Sequence, residues 1–345
     1  MRKNPIEVSA TMLDSVLADS RETPYLLVAN SGGKDACATA QLCGEALQRW
    51  NATHPKTPGT MRFFYKYLVE NIECIEKPIH FLRRRFNVPH LYSFPSPILS
   101  RALKVGFMRE VTLNTLDTVN VQENDIEWAA RMTMAADLSG IAPENFWRFV
   151  EDGECPTCEG RCTAEVRGFE HLIPQELLLS GGRMKCFDCK GKGKKFKRLP
   201  SFSKDDIKID PHRIWVCSGH RQSDSLDRRA WLSSMATGSG RNNPWRGGYS
   251  SGVIGLDKKG YRAYPIAEWS TRDVLSFNQY RNIPPPAQLG KANQGGLDLS
   301  EKCMLWLWAH ARADYWRVLE VFPHAHAHVA ARGLDQEAMP SSKSA

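Results

Sequence analysis

The chain has 345 residues, enough for one large α/β domain with an insertion or for two domains. Hydrophobic residues make up 42% and no apolar run approaches the length of a membrane span, so a core is expected and a spanning helix is not. The net charge of +8 is local: Arg183 to Arg198 holds eight basic residues and one acidic one, Asp188, which leaves the rest of the chain close to neutral. Such a patch suits nucleic acid, a nucleotide or an acidic partner as well as a solvated loop. Arg2 and Lys3 are followed by no apolar stretch, so no signal peptide is expected and the reading is cytoplasmic, with no membrane partner.

In chain order, residues 24–30 (Pro-Tyr-Leu-Leu-Val-Ala-Asn) read as a short buried strand. Ser31-Gly32-Gly33 reads as a turn, and 35–50 as a helix with Ala36, Ala40, Leu42, Leu47 and Trp50 inward. Residues 61–69 read as a second strand, and Lys77–Phe86 as a helix with Pro78 in its first turn. Residues 91–100, rich in Ser and Pro, read as a loop. Helices are expected over Asp125–Asp137 and near Pro143–Phe149, a strand over 213–218, and a helix over Ser223–Met235. The Gly, Ser and Asn-rich stretch 238–252 reads as a loop. Ser270 starts a helix with Asp273 in a capping-box arrangement, and Pro284-Pro285-Pro286 closes that region. One last helix is expected over Ser300–Val321, then a tail that includes His324, His326 and His328.

This order implies an α/β fold with a mostly parallel sheet and helices on both faces. The nucleotide-binding domain is expected to be discontinuous, 1–150 and 200–300. A Cys-rich insertion occupies 151–199, a helical segment 301–338 and a tail 339–345.

The chemistry concentrates first at Ser31-Gly32-Gly33-Lys34-Asp35. A glycine pair between strand and helix lets backbone N–H groups converge on an anion, and the helix N-terminus adds positive potential there. Lys34 supplies a full charge, and Asp35 caps the helix or holds the loop. The spacing is not that of a Walker A loop.

Val28-Ala29-Asn30-Ser31-Gly32-Gly33-Lys34-Asp35 resembles the PP-loop of the ATP pyrophosphatase and PAPS reductase superfamily (adenine nucleotide alpha hydrolase-like). Ala36 stands where that signature usually has Ser, so one hydroxyl to phosphate is missing unless the Thr39 hydroxyl or the Cys37 thiol compensates. Gly219-His-Arg221-Gln-Ser-Asp224-Ser225-Leu-Asp-Arg228 looks like the family's Gly-x-Arg-x-x-Glu-Ser-x-x-Arg segment, with Asp224 for Glu. Arg221 and Arg228 share a face if the helix already includes Arg221. Two guanidiniums there suit phosphate or sulfate. Pro265-Ile-Ala-Glu-Trp269-Ser270-Thr-Arg-Asp273-Val274 resembles a third, architectural segment. The resemblance spans 28–275 apart from 151–199.

It implies an enzyme that binds ATP or PAPS through Ser31, Gly32, Gly33, Lys34, Asp35, Gly219, Arg221, Asp224, Ser225 and Arg228 and acts at the phosphate or sulfate end. Lys34, Arg221 and Arg228 would carry the chemistry. Mg²⁺ is expected if the donor is ATP. A reductase of this family also needs a thiolate and a thiol reductant such as thioredoxin, and Cys303 is the only C-terminal candidate.

The insertion holds Cys155-Pro-Thr-Cys158 and Cys186-Phe-Asp-Cys189, two knuckles whose spacing suits structural tetrahedral Zn²⁺. The second resembles a DnaJ-type zinc repeat. Cys162 is a spare ligand that keeps an iron–sulfur cluster as the alternative. Lys190 to Arg198 follows at once and suits nucleic acid through phosphates and Phe196. Two alternatives to a PAPS reductase-like enzyme therefore stand: an ATP-dependent enzyme that adenylates or thiolates nucleic acid, and a non-catalytic nucleotide-binding protein.

Overall fold

The structure is a computed structural model. It describes residues 4–19, 23–69, 71–95, 127, 130–141, 147–154, 163–165, 178–179, 181–185, 194–200, 206–236, 253–257, 260–285, 287, 297 and 299–334. Cys155, Cys158, Cys162, Cys186, Cys189, Lys190, Lys192 and the stretch 238–252 lie outside them.

Its centre is a six-stranded sheet. Strand β1 (Tyr25–Ala29) pairs in parallel with β2 (Thr60–Tyr67), and β2 with β3 (Leu91–Pro95). On its other side β1 pairs in parallel with β9 (Trp215–Cys217), and β9 with β11 (Gly260–Tyr264). Only β10 (Val253–Asp257) runs antiparallel, as the partner of β11. Among the described residues five strands lie between β3 and β9: β4 (Trp147–Glu154), β5 (Thr163–Glu165), β6 (Leu178–Leu179), β7 (Arg183–Lys185) and β8 (Lys194–Pro200). β4 pairs with β8, and β7 lies between β5 and β6, both outside the main sheet.

A strand buried on both faces reads as an unbroken apolar run, which is the pattern of β1. Leu26 and Val28 join the core built with α1 (Pro5–Asp19), α2 (Lys34–Thr53) and α3 (Glu73–Arg85). Leu27 joins the opposite core, with Ala130, Met134, Ala135 and Ala136 of α4 (130–138). The expected α/β layout with helices on both faces is therefore the observed one. The chain leaves β1 toward β2 and β3 on one side and returns through β9 and β11 on the other, so the strand order reverses at β1. Open α/β sheets bind ligands at such a reversal.

Several expectations are corrected. Residues 91–95 form an edge strand, because a parallel partner, β2, is available and Pro95 sits at the strand end where its missing N–H costs nothing. Helix α3 starts at Glu73, so Pro78 lies inside it, where burial outweighs the lost hydrogen bond. The start of α3 is capped from afar: the Asp314 carboxylate accepts from the N–H of Glu73 and of Cys74, both at 2.8 Å. The stretch Trp147–Phe149, expected as the end of a helix, begins the ladder Trp147↔Pro200 instead. The last helix is two, α7 (Glu301–His310) and α8 (Arg312–Val321), broken at Ala311 (φ −147°, ψ 64°). The histidines are no free tail: a one-turn helix, Pro323–His326, leads into a short helix, Ala327–Ala330, and the Tyr315 hydroxyl meets His326 Nδ1 at 2.6 Å. No helix among the described residues is long and apolar enough to cross a membrane.

Candidate nucleotide site

The loop after β1 is built around two glycines with different tasks. Gly32 has φ +71°, and a Cβ there would lie 2.1 Å from the carbonyl oxygen of Ile75 in the first turn of α3. Only a residue without a side chain lets the loop pass so close to that turn. Gly33 is the N-cap residue of α2 in an extended conformation, and no side chain caps the helix. The start of α2 is thus not closed by the protein's own oxygen, which is the arrangement an anion can complete. Asn30 braces the turn: its Oδ1 accepts from Gly32 N at 3.2 Å, while its Nδ2 is buried without a hydrogen-bond partner.

Charged groups from two distant segments meet at this turn. Lys34 Nζ lies 2.6 Å from Asp35 Oδ2. On its other oxygen Asp35 faces Arg221 Nε at 2.8 Å, out of line for a hydrogen bond, so this contact is an ion pair. Arg221, 3% exposed, also donates to Asp224 Oδ1 at 2.7 Å and to Thr271 Oγ1 at 3.1 Å. Asp224 Oδ2 in turn accepts from Arg228 Nη1 at 2.8 Å. Gly219 packs on the start of α2, where a Cβ would come within 2.8 Å of the Asp35 carbonyl.

The third segment holds this arrangement from behind. Helix α6 (Thr271–Tyr280) begins with the expected capping box, Ser270 and Asp273 each bonding the other's backbone. Asn278 on α6 donates to the Lys34 carbonyl at 2.8 Å. Trp269 is buried and its indole N–H donates to Ser9 Oγ of α1 at 3.0 Å. Segments at 30–35, 219–228 and 269–278 thus converge on one helix start.

Details differ from the sequence reading. Helix α5 (Leu226–Ala236) begins after Arg221, so Arg221 and Arg228 do not share a helix face; they bracket Asp224. Ser225 accepts from Arg228 N at 3.1 Å and so serves the start of α5. Neither Thr39 nor Cys37 replaces the hydroxyl missing at Ala36, because both side chains are fully buried. Burial, and secondarily the charge of Asp35, pushes the Cys37 thiol up to about 12. Asp35 is already bracketed by two cations, which leaves it poorly placed to hold Mg²⁺.

Cys303 sits on the first turn of α7 with 0% exposure. A sulfur nucleophile must reach solvent and ionise; this thiol does not reach solvent. Cys43 and Cys217 are buried as well, and Cys43 is raised by its hydrogen bond to Cys217 and by burial. Cys74 is partly buried and raised, first by burial and then by its hydrogen bond to Asp314. Among the described residues no group of His, Cys, Asp or Glu is placed to hold a metal ion.

One feature of this region carried no sequence signal. Ser218 and His220, the residues alternating with Gly219 and Arg221, line a cavity of about 220 Å³ together with Trp231, Tyr264, Glu127 and Arg262. Its residues come from four elements and none forms a motif.

No protein-family model matches the chain, and no curated protein matches it. Among solved structures it is similar to the U34-tRNA thiolase NcsA from Methanococcus maripaludis, solved with its [4Fe-4S] cluster. That likeness covers 98% of this chain and 81% of the other, at 10% identity and a TM-score of 0.37. So distant a likeness gives no residue a role. The layout beside it is that of an α/β protein with five parallel strands and one antiparallel edge strand around a glycine turn.

Proposed function

We propose that the chain is an enzyme that binds ATP on the Ser31–Asp35 loop and acts at its α-phosphate. The observation that carries this reading is the convergence of Lys34, Asp35 and Arg221 on an uncapped helix start at the chain reversal of the sheet. The loop amides and the first turn of α2 would bind the phosphates, Lys34 would leave Asp35 for a phosphate oxygen, and Gly219 would keep the segment that carries Arg221 against the loop. An acceptor oxygen or nitrogen would attack the α-phosphorus, the bridge to the β-phosphate would break, and pyrophosphate would leave. Charge developing on the transferred group is what such fixed donors stabilise. Mg²⁺, if bound with the nucleotide, would supply charge neutralisation at the phosphates; among the described residues no side-chain group is placed to hold it.

The sequence resemblance also implied reduction of PAPS, which requires a thiolate. Burial of Cys303 favours the ATP reaction over it. Incubating the full chain with ATP or with PAPS separates the two: pyrophosphate from ATP is expected, and no sulfite from PAPS. Sulfite release would overturn the choice of reaction, and loss of PAPS turnover in Cys303→Ser would then assign the thiol.

A nucleic acid is the acceptor this reading favours. The ladder of β4 and β8 pairs Glu154 with Lys194, so it brings together the chain just before Cys155 and the chain just after Cys189. Cys155, Cys158, Cys186 and Cys189 would hold Zn²⁺, a closed structural site that stiffens the hairpin carrying Lys194, Lys195, Lys197 and Arg198. The hairpin would grip phosphates. Binding of single-stranded RNA or DNA is then expected to weaken linearly in log–log form as salt rises; affinity that is flat with salt contradicts this assignment of the basic run.

A further inference from the structure

The four residues after β9 alternate. Gly219 and Arg221 face the nucleotide loop, through a 2.8 Å approach to the Asp35 backbone and an ion pair with Asp35. Ser218 and His220 face the cavity instead. The segment is therefore a partition between the loop and a second concave site, floored by Val216 of β9.

We propose that this cavity is a separate ligand site that takes a planar, hydrogen-bonding heteroaromatic ring of the nucleobase class. Three aromatic side chains shape it. The Trp231 and Tyr264 rings meet edge to face at 5.2 Å, and the His220 ring lies 5.8 Å from each of them. Aromatic walls of this kind receive another ring by stacking or edge contact. Donor and acceptor stand side by side on the remaining wall: Arg262 Nε donates to Glu127 Oε1 at 2.8 Å, and Ser218 Oγ bonds His220 Nδ1. A carboxylate beside a guanidinium matches the alternating donors and acceptors on a base edge.

The wall is also rigid. Arg131 is fully buried and approaches Glu127 Oε1 at 3.5 Å. The same guanidinium donates to the carbonyl of Ile214 and, at 2.7 Å, to that of Tyr261. Glu127 is therefore fixed to the chain entering β9 and to β11. Size narrows the ligand further: pockets for whole drug-sized molecules run to roughly 300–1,000 Å³, and about 220 Å³ suits a ring system without its phosphates. The proposal goes beyond the reaction at the loop and does not depend on it.

Equilibrium dialysis of the full chain with adenosine, guanosine, cytidine and uridine tests it, with and without saturating ATP. Saturable binding of at least one nucleoside is expected, undiminished by ATP. Trp231→Ala should weaken it roughly tenfold, as loss of a stacking partner does, and Glu127→Gln should weaken it too, with folding checked by thermal melting. Trp231→Phe should restore most of the affinity. Absence of saturable binding overturns the proposal. So does competition by ATP, which would make the cavity the base pocket of the loop's own nucleotide. Binding unmoved in Glu127→Gln and in a folded Trp231 variant would place the nucleoside elsewhere and overturn it equally.

Discussion

Arg221→Ala is expected to destabilise the protein by about 1.5–3 kcal/mol, the worth of charged hydrogen bonds lost from a network whose carboxylates each keep one other cation. Arg221 is 3% exposed and stands between two carboxylates, 2.8 Å from Asp35 and 2.7 Å from Asp224. Without it both remain, Asp224 with Arg228 and Asp35 with Lys34. Lys34 is then the sole cation on Asp35, so it is held away from phosphate more firmly, and ATP affinity should fall together with stability. Arg221→Lys should recover only part of either, because an ammonium cannot span Asp35, Asp224 and Thr271 as the planar fork does. Urea unfolding gives the stability and calorimetric titration with ATP gives the affinity. A loss below about 1 kcal/mol, the worth of an exposed pair, would show that the network does not brace the loop.

Gly32→Ala should cost the site far more than Gly33→Ala. Two penalties coincide. A left-handed backbone costs a residue with a Cβ roughly 1–2 kcal/mol, and Gly32 has φ +71°. The new Cβ would also lie 2.1 Å from the Ile75 carbonyl oxygen, so the loop or the first turn of α3 must move. Gly33→Ala is the internal control. Its backbone is extended, and the nearest atom to a new Cβ is Ser31 Oγ at 3.5 Å. ATP binding should therefore drop by more than about tenfold in the first variant, corresponding to about 1.4 kcal/mol, and far less in the second. Equal losses in both would mean that the close passage over α3 does not shape the site.

Much of this was legible in the sequence where local pattern and tertiary burial agree. The apolar run of β1, the glycine turn and α2 follow from residues 24–50 alone, because both faces of β1 are buried and the turn chemistry is local. Ser270 and Asp273 announce the start of α6 for the same reason. Where the deciding contact is remote, the pattern misleads. Ser93 and Pro95 look like loop residues, yet β2 supplies a parallel partner. Nothing local marks Ala311 as a break between α7 and α8. Helix α1 and the pair β10 and β11 carry no clear local pattern, although Ser9 of α1 takes the Trp269 indole and β11 completes the parallel sheet. Arg221 and Arg228 lie seven apart, which suggested one helix face; the chain instead spends residues 222–225 in a turn, and Asp224 draws the two together. The cavity behind that turn had no signature at all, since its carboxylate, guanidinium and rings come from elements as far apart as Glu127 and Tyr264.

The central functional claim is that Ser31 to Asp35 receives the phosphates of an adenine nucleotide. Calorimetric titration of the full chain with ATP, ADP and adenosine, repeated on Lys34→Ala, tests it most directly. Saturable binding that strengthens from adenosine through ADP to ATP, with that gain largely lost in Lys34→Ala, is the expected result. Equal affinity for all three, or an ATP preference untouched in Lys34→Ala, would contradict it.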